Sequence, residues 1–384
     1  MRSLLLSASW APAIGGVETL LGQTSRRLAE PPLVLAAAPA AAAAVPPADA
    51  AVPPADTAVP LRAVRLGFVG RASYRPLWAA HPSLHYLLTF LRPAARAVRT
   101  WRPRVILAGH VYLAPLAWLL ARRTRRPFVV FAYGQEVWRA GRPMGQPRLD
   151  DALRGGALRA AAAVLVPGRF TAGLLDDWGV APERIACIPF GAEPRPPVSP
   201  SSGASLLSVA RLVPRKGIDT VIASLPRLAS HVEYRVVGRG PDEARLRRLA
   251  ETVGVAERVH FLGRVDEAQL AAEYQRCALF VLPARRTADG QLEGYGLVYF
   301  EAAAWGRAVV AGRSGGEVDA VVDGQTGLLV DARSMPHVAH AISTLLADPA
   351  RRTALGAAGR ARVATTHNWQ QAAAAVDAIL ERLA

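Results

Sequence analysis

The feature that most restricts the fold of this 384-residue sequence is an alternation repeated along its length. Short Leu-rich or β-branched runs, "SLLLSAS", "PLVLAAA", "VRLGFVG", "RVILAGH", "FVVFAYG", "AVLVPG" and "RIACIPFG", are separated by amphipathic helical patterns such as "VETLLGQTSRRLAE". Strands that alternate with helices predict parallel sheets covered by helices on both faces. After residue 200 the series restarts with "ASLLSVA", "EYRVVG", "RVHFLG", "LFVLPA" and "AVVAG". The Pro/Ser/Gly-rich "EPRPPVSPSSGAS" between the series reads as a linker. An α/β chain of two doubly wound domains, 1–200 and 201–365, follows, with a cleft between them. The length suits two cores better than one.

Two cysteines, Cys187 and Cys277, stand far apart without metal-ligand spacing, so neither a disulfide framework nor a metal centre is expected. No run of 18 apolar residues predicts a membrane span. "MRSLLLSASWAPA" faintly resembles a signal peptide, but its apolar run is short and a Gly-Gly turn and amphipathic helix follow directly. The low-complexity stretch 36–60, with "VPPADA" and "VPPADT", reads as a surface loop without chemistry.

The formal net charge of +16 points to an anionic partner: nucleic acid, a membrane surface or a phosphorylated substrate. Residues 1–200 hold 24 arginines against 11 acids, whereas 201–384 hold 22 basic residues against 19 acidic. Residues 57–135 hold 13 arginines and no acid, interleaved with Tyr74, Trp78, Tyr86, Phe90, Trp101 and Trp118. One reading is solvated arginine over core aromatics. The other is a surface for anionic lipid, where rings sit at headgroup level and cations meet phosphate.

One lysine, Lys216 in "RLVPRKGID", stands among 46 basic residues; all the others are arginine. A compact ammonium on a slim stem suits a tight phosphate site better than a planar fork; chance is the competing explanation. Gly15 and Gly16 sit between the first strand and first helix, where free amides can seat an anion. Gly238 and Gly240 are followed by Glu243 where a dinucleotide fingerprint needs Gly or Ala, so NAD binding is rejected. In "EGYGLVYFE", Gly294 and Gly296 lead into a helix whose N-terminus is a natural diphosphate seat. Glu301, inside that nearly all-apolar helix, needs a partner and suits a ribose diol. Glu293, ahead of the helix, falls nearer the far end of such a ligand. His110 and Tyr133 each follow a predicted strand, where open α/β sheets bind ligands; a lone His there is as often structural.

The order Gly-Gly after the first strand, "SVARLVPRKGID", "VVGRGP", "EGYGLVYFEA" and "GRSGGEVDAVVDGQTGLLV" resembles the family 4 retaining glycosyltransferases of the GT-B fold, most of all from residue 205 to 332. "LPARR…EGYGLVYFEA" and "YGQEVW" are most similar to the mannosyltransferases acting on phosphatidylinositol mannosides. The resemblance implies two Rossmann-like domains, a C-terminal helix (366–384) packing back toward the first, and no metal or resident cofactor. It implies a nucleotide-sugar donor in the second domain and an acceptor in the first. Arg211 and Lys216 would bind the diphosphate, Glu293 the sugar hydroxyls and Glu301 the ribose. The Gly15 and Gly16 backbone would meet the phosphate and Gly294, Tyr295, Gly296 and Leu297 would cap it, with Gly238 also at the donor and Val265 beside Arg264 at the base. Tyr133 and Gln135 stand where the family has His, and Asp319 where Glu is usual.

The expectation is a retaining, metal-independent hexosyltransferase, using GDP-mannose and an anionic lipid or glycan acceptor. It would be cytoplasmic, peripheral on the inner membrane face through the Arg-rich segment, and would not bind nucleic acid. The alternatives are a UDP-sugar donor, or a non-catalytic basic module for nucleic acid or membrane.

Overall fold

The computed structural model describes residues 1–8, 10, 15–37, 61–64, 81–138, 148–197 and 203–383. The chain forms two compact units: residues 1–188 with 369–384, and residues 189–368. The division falls at Ile188/Pro189, not near residue 200, because Phe190 and Ala192 bond to Tyr295 and His367 of the second unit.

The first unit holds a seven-stranded, all-parallel sheet. Its strands are β1 (Ser3–Ser7), β2 (Leu33–Ala37), β3 (Leu61–Val64), β4 (Val105–Ala108), β5 (Phe128–Phe131), β6 (Ala163–Val166) and β7 (Ile185–Cys187). Their order is β3-β2-β1-β4-β5-β6-β7. The third strand begins earlier than "VRLGFVG" suggested; residues 65–70 lie outside the described residues, as do 38–60 of the low-complexity stretch. Leu4, Leu6, Ile106, Val130 and Val164 are fully buried, as strands covered on both faces require. The helix Pro82–Trp101 covers one face with Ser83, Tyr86, Phe90, Ala94 and Ala97, an i, i+3/i+4 stripe. Tyr86 and Phe90 are therefore core residues and not part of an exposed aromatic belt; Tyr74 and Trp78 lie outside the described residues. The opposite face exposes Leu88, Arg92, Arg96 and Arg99. The last helix, Trp369–Arg382, packs against the first, Gly16–Ser25, and Asp377 accepts from the Ala29 amide at 2.8 Å.

The second unit repeats the design with six parallel strands: β8 (Ser205–Val209), β9 (Glu233–Val237), β10 (Val259–Gly263), β11 (Leu279–Leu282), β12 (Ala308–Ala311) and β13 (Gly327–Leu329), ordered β10-β9-β8-β11-β12-β13. The three-residue β13 is absent from the sequence-based series. In each sheet the order reverses beside the first strand of the unit, between β1 and β4 and between β8 and β11. Ligands bind outside the carboxyl ends of strands at such switch points. Among the described residues no helix is long and apolar enough to cross a membrane.

Candidate functional site

The switch point of the second unit gathers charge. After β8 the chain turns through Pro214–Lys216 into the helix Ile218–Ser224. Lys216 is buried, and its ammonium is ion-paired to Oε2 of Glu293, which also accepts from Arg215 at 3.0 Å. Burial pushes the Glu293 carboxyl up, but Lys216 and Arg215 outweigh it and hold the group below the usual carboxylate range. Behind this cluster, the Arg215 carbonyl accepts from the Arg285 amide at 2.8 Å, and Arg285 is ion-paired to Asp219 at 2.7 Å. Asp219 also meets Arg245 at 3.1 Å. Its pKa is lowered: burial raises it, and bonds to Arg285 and Arg245 more than reverse that.

Glu293 begins the loop that leads into the helix Leu297–Ala304. Gly296 caps the helix at φ +83°, and a Cβ there would overlap the Tyr299 ring. No side chain caps the first amides and no acid stands in the first turn, so the positive end of the helix is uncompensated from within. One turn further on, half-buried Glu301 accepts the Tyr274 hydroxyl at 2.8 Å. Burial raises the Glu301 pKa, opposed by that bond and by Arg195. The "SGG" turn supports the loop from below: the Gly316 amide donates to the Glu293 carbonyl at 2.8 Å. The turn is held by Glu317, whose Oε1 accepts from the Ser314 and Gly315 amides at 2.6 and 2.9 Å. Glu317 is fully buried, its Oε2 has no hydrogen-bond partner among the described residues, and burial raises its pKa above the ordinary value.

The structure thus joins Lys216 to Glu293 and places Gly294, Tyr295, Gly296, Leu297 and Glu301 on the adjoining loop and helix. Arg211 is exposed on the loop after β8, and Arg264 and Val265 follow β10, exposed and half-buried. The Gly238 amide is committed to the Gly263 carbonyl at 2.7 Å. Asp319 lies in the short helix Glu317–Ala320, and its carbonyl accepts from Arg362 at 2.8 Å. Three participants escaped sequence reasoning. Arg215 is one arginine among 45, Tyr274 reaches Glu301 only through tertiary packing, and nothing in the local sequence marks Glu317. The adjacency of Arg215 to Lys216 was the one signal present.

The switch point of the first unit gathers rings. Gly15 and Gly16 start the helix Gly16–Ser25, with Glu18 in its first turn. His110 stacks on Tyr112 at 5.0 Å and meets Tyr133 edge-on at 6.1 Å; its Nδ1 is buried without a hydrogen-bond partner among the described residues. Tyr133 is buried and donates its hydroxyl to the Gly109 carbonyl at 3.2 Å, while its amide donates to Glu136 at 2.7 Å. Burial, then Glu136 and Glu18, push the phenol well above its ordinary pKa. Gln135 is exposed.

Lys216 and Arg215 thus close on the half-buried Glu293 carboxylate at the switch point of a doubly wound unit. Residues 192–362 match the family "Glycosyl transferases group 1", and residues 15–191 match "Glycosyl transferase 4-like domain". The chain belongs to these glycosyltransferases and has the two-domain GT-B fold. It is 42% identical over 174 residues to the GDP-mannose-dependent alpha-(1-6)-phosphatidylinositol monomannoside mannosyltransferase of Mycobacterium tuberculosis, covering 44% of this chain and 45% of the relative. It therefore spans less than half the length of that curated relative. It is 31% identical over 298 residues to a glycogen synthase of M. tuberculosis, covering 72% of this chain and 68% of the relative. Among solved structures, the sucrose-phosphate synthase of Thermosynechococcus elongatus (TM-score 0.81, 22% identity, 100% of this chain and 99% of that one) and Anabaena HepE in complex with UDP (TM-score 0.76, 19% identity, 100% of both) share the fold.

Proposed function

We propose that the protein is a retaining mannosyltransferase that moves mannose from GDP-mannose to an anionic lipid or glycan acceptor. The observation that carries this reading is the convergence of Lys216 and Arg215 on Glu293 at the N-terminus of the helix Leu297–Ala304. The likeness to the phosphatidylinositol mannoside enzymes supports the choice of donor and acceptor.

In this reading the diphosphate lies against the helix start, where Gly294 to Leu297 present backbone and Lys216, Arg215 and the exposed Arg211 present charge. Glu301 accepts the ribose hydroxyls and Glu293 the sugar hydroxyls. As the bond from the anomeric carbon to the phosphate oxygen breaks, negative charge grows on the leaving diphosphate. The cations and the helix dipole stabilise it without reorganising, which lowers the barrier. The acceptor oxygen attacks from the face the diphosphate leaves, and a donor phosphate oxygen takes the acceptor proton. Neutralisation by these side chains makes transfer independent of divalent metal. The exposed Arg92, Arg96, Arg99 and Arg102 hold the first unit on anionic lipid, each worth roughly 1 kcal/mol near such a surface.

The test is a thermal-shift panel of GDP, UDP and ADP with their sugar conjugates, followed by donor hydrolysis with and without EDTA. A ligand at 100 times its Kd adds about 2.7 kcal/mol of apparent stability. Stabilisation by GDP and EDTA-insensitive hydrolysis of GDP-mannose are expected. Stabilisation by UDP alone moves the donor to a UDP-sugar, and abolition by EDTA with rescue by Mg²⁺ removes the metal-independent mechanism.

A further inference from the structure

The chain passes into the second unit at Pro189 and out of it at Asn368, and the two crossover segments meet inside that unit. The Ala192 amide donates to the His367 carbonyl at 3.2 Å. A Cβ on Gly191 would overlap the same oxygen, so only glycine lets the backbones approach this closely.

Both segments are tied to the loop that begins at Glu293. Fully buried Phe190 accepts the Tyr295 hydroxyl on its carbonyl at 2.6 Å. The Tyr295 ring lies 5.1 Å from Phe300, and Phe300 stacks on His367 at 5.1 Å with planes 10° apart. Arg362 covers Phe300 at 5.4 Å and approaches His367 Nε2 at 3.1 Å, while donating to the Ala320 and Asp319 carbonyls at 2.6 and 2.8 Å. Burial, then Arg362, push the imidazole down to about 4. The ring is therefore neutral at pH 7. Arg362 has only donors, so Nε2 accepts and Nδ1 carries the proton toward Thr366 Oγ1, 2.8 Å away.

Tyr295 stands between Gly294 and Gly296, which offer no side chain to hold the loop. Filling the slot would need only a phenyl ring. The hydroxyl is a buried donor that needs an acceptor, and it bonds not to its own loop but to the crossover. We propose that Tyr295 is a positioning residue that couples the donor loop to both crossover segments, so that a nucleoside diphosphate bound at the loop is felt at Gly191–Ala192 and at His367. This rests on the donor site proposed above.

Amide hydrogen exchange tests it, with saturating GDP as probe, on wild type, Tyr295→Phe and Tyr299→Phe. Tyr299→Phe is the control, because it also removes a buried hydroxyl bond, 2.8 Å to the Leu282 carbonyl, but one that touches neither crossover. In wild type GDP slows exchange in peptides covering 211–217 and 293–301 and, about tenfold, in those covering 186–194 and 364–370, the scale of one lost hydrogen bond. Tyr295→Phe keeps the first protection and loses the second; Tyr299→Phe keeps both. In GDP-mannose hydrolysis, Tyr295→Phe lowers kcat about tenfold and leaves KM within about twofold. Crossover protection that persists in Tyr295→Phe, or is missing from wild type while the loop is protected, overturns the coupling. Absence of protection anywhere, with GDP and with UDP, overturns the donor site itself and the coupling with it.

Discussion

The two sheets share the order of their first six strands, the first sheet adding β7 at one edge, and present opposite chemistry at their carboxyl ends. Beyond β8 and β11, Lys216, Arg215, Glu293, Asp219, Arg285 and Arg245 are each answered by an opposite charge at close range. Beyond β4 and β5, His110, Tyr112 and Tyr133 answer one another as rings, and the buried Nδ1 of His110 has no hydrogen-bond partner among the described residues. The first arrangement holds its charges in place against one another; the second packs rings around a buried imidazole nitrogen. A common topology thus carries an ion-pair cluster in one unit and an aromatic cluster in the other.

The sharpest way to break this contrast is Lys216→Arg. If the second unit works by exact placement of charge, this charge-preserving change lowers kcat/KM by on the order of 10²–10³; near-normal turnover would make the lone lysine an accident of codon usage. The first unit is probed by changing Arg92, Arg96, Arg99 and Arg102 together to Gln. Liposome co-sedimentation should then weaken by up to about a thousandfold on anionic vesicles at low salt and change little on neutral ones. Binding that ignores lipid charge and salt would sink the docking claim. Within the second unit, Glu301→Gln should weaken free GDP about tenfold, whereas Glu293→Gln should weaken GDP-mannose more than GDP. Calorimetric titrations giving equal losses on free GDP would collapse the two roles into one.

Smaller effects follow. The His367 imidazole titrates near 4 in the folded chain, below the unfolded value of about 6.5. Between those values the unfolded chain binds more protons, so stability falls as pH drops from about 6.5 toward 4, by no more than about 1.4 kcal/mol per pH unit. His367→Phe, which keeps a ring on Phe300, should flatten that part of a urea-denaturation pH profile. Smallest is Tyr133→Phe, which removes the bond to the Gly109 carbonyl. It should cost about 1 kcal/mol of stability and leave hydrolysis of GDP-mannose unchanged; a drop in kcat would mean that this phenol leaves Gly109 to act on the donor.

The sheets were legible because buried parallel strands carry apolar runs: β11 and β12 are apolar throughout, and β8, β9 and β10 each carry a shorter apolar or β-branched core. β13 was not, since Gly327–Leu329 is three residues long and opens on glycine. Lys216 and Glu301 were legible through anomaly: the one lysine of an arginine-rich chain, and an acid in a helix whose neighbours are apolar. Arg215 was hidden by the same composition that exposed Lys216. Glu317 reads locally as an acid at a helix start, and only the third dimension shows it fully buried with one oxygen unbonded. Phe190 was assigned with the strand before it, because nothing in "RIACIPFG" says that its carbonyl faces a tyrosine 105 residues away.

The crossing at Gly191 and His367 also decides where such a chain can be recombined. Hybrids that exchange the second unit between relatives need junctions, and the Pro-rich stretch near residue 200 invites a cut there. A junction at that point would leave Gly191 and Ala192 with one parent and take residue 367 from the other, so the close contact would join segments of different origin. Junctions at Ile188/Pro189 and Asn368/Trp369 carry the crossing whole, so a graft made there inherits both strands of its own knot.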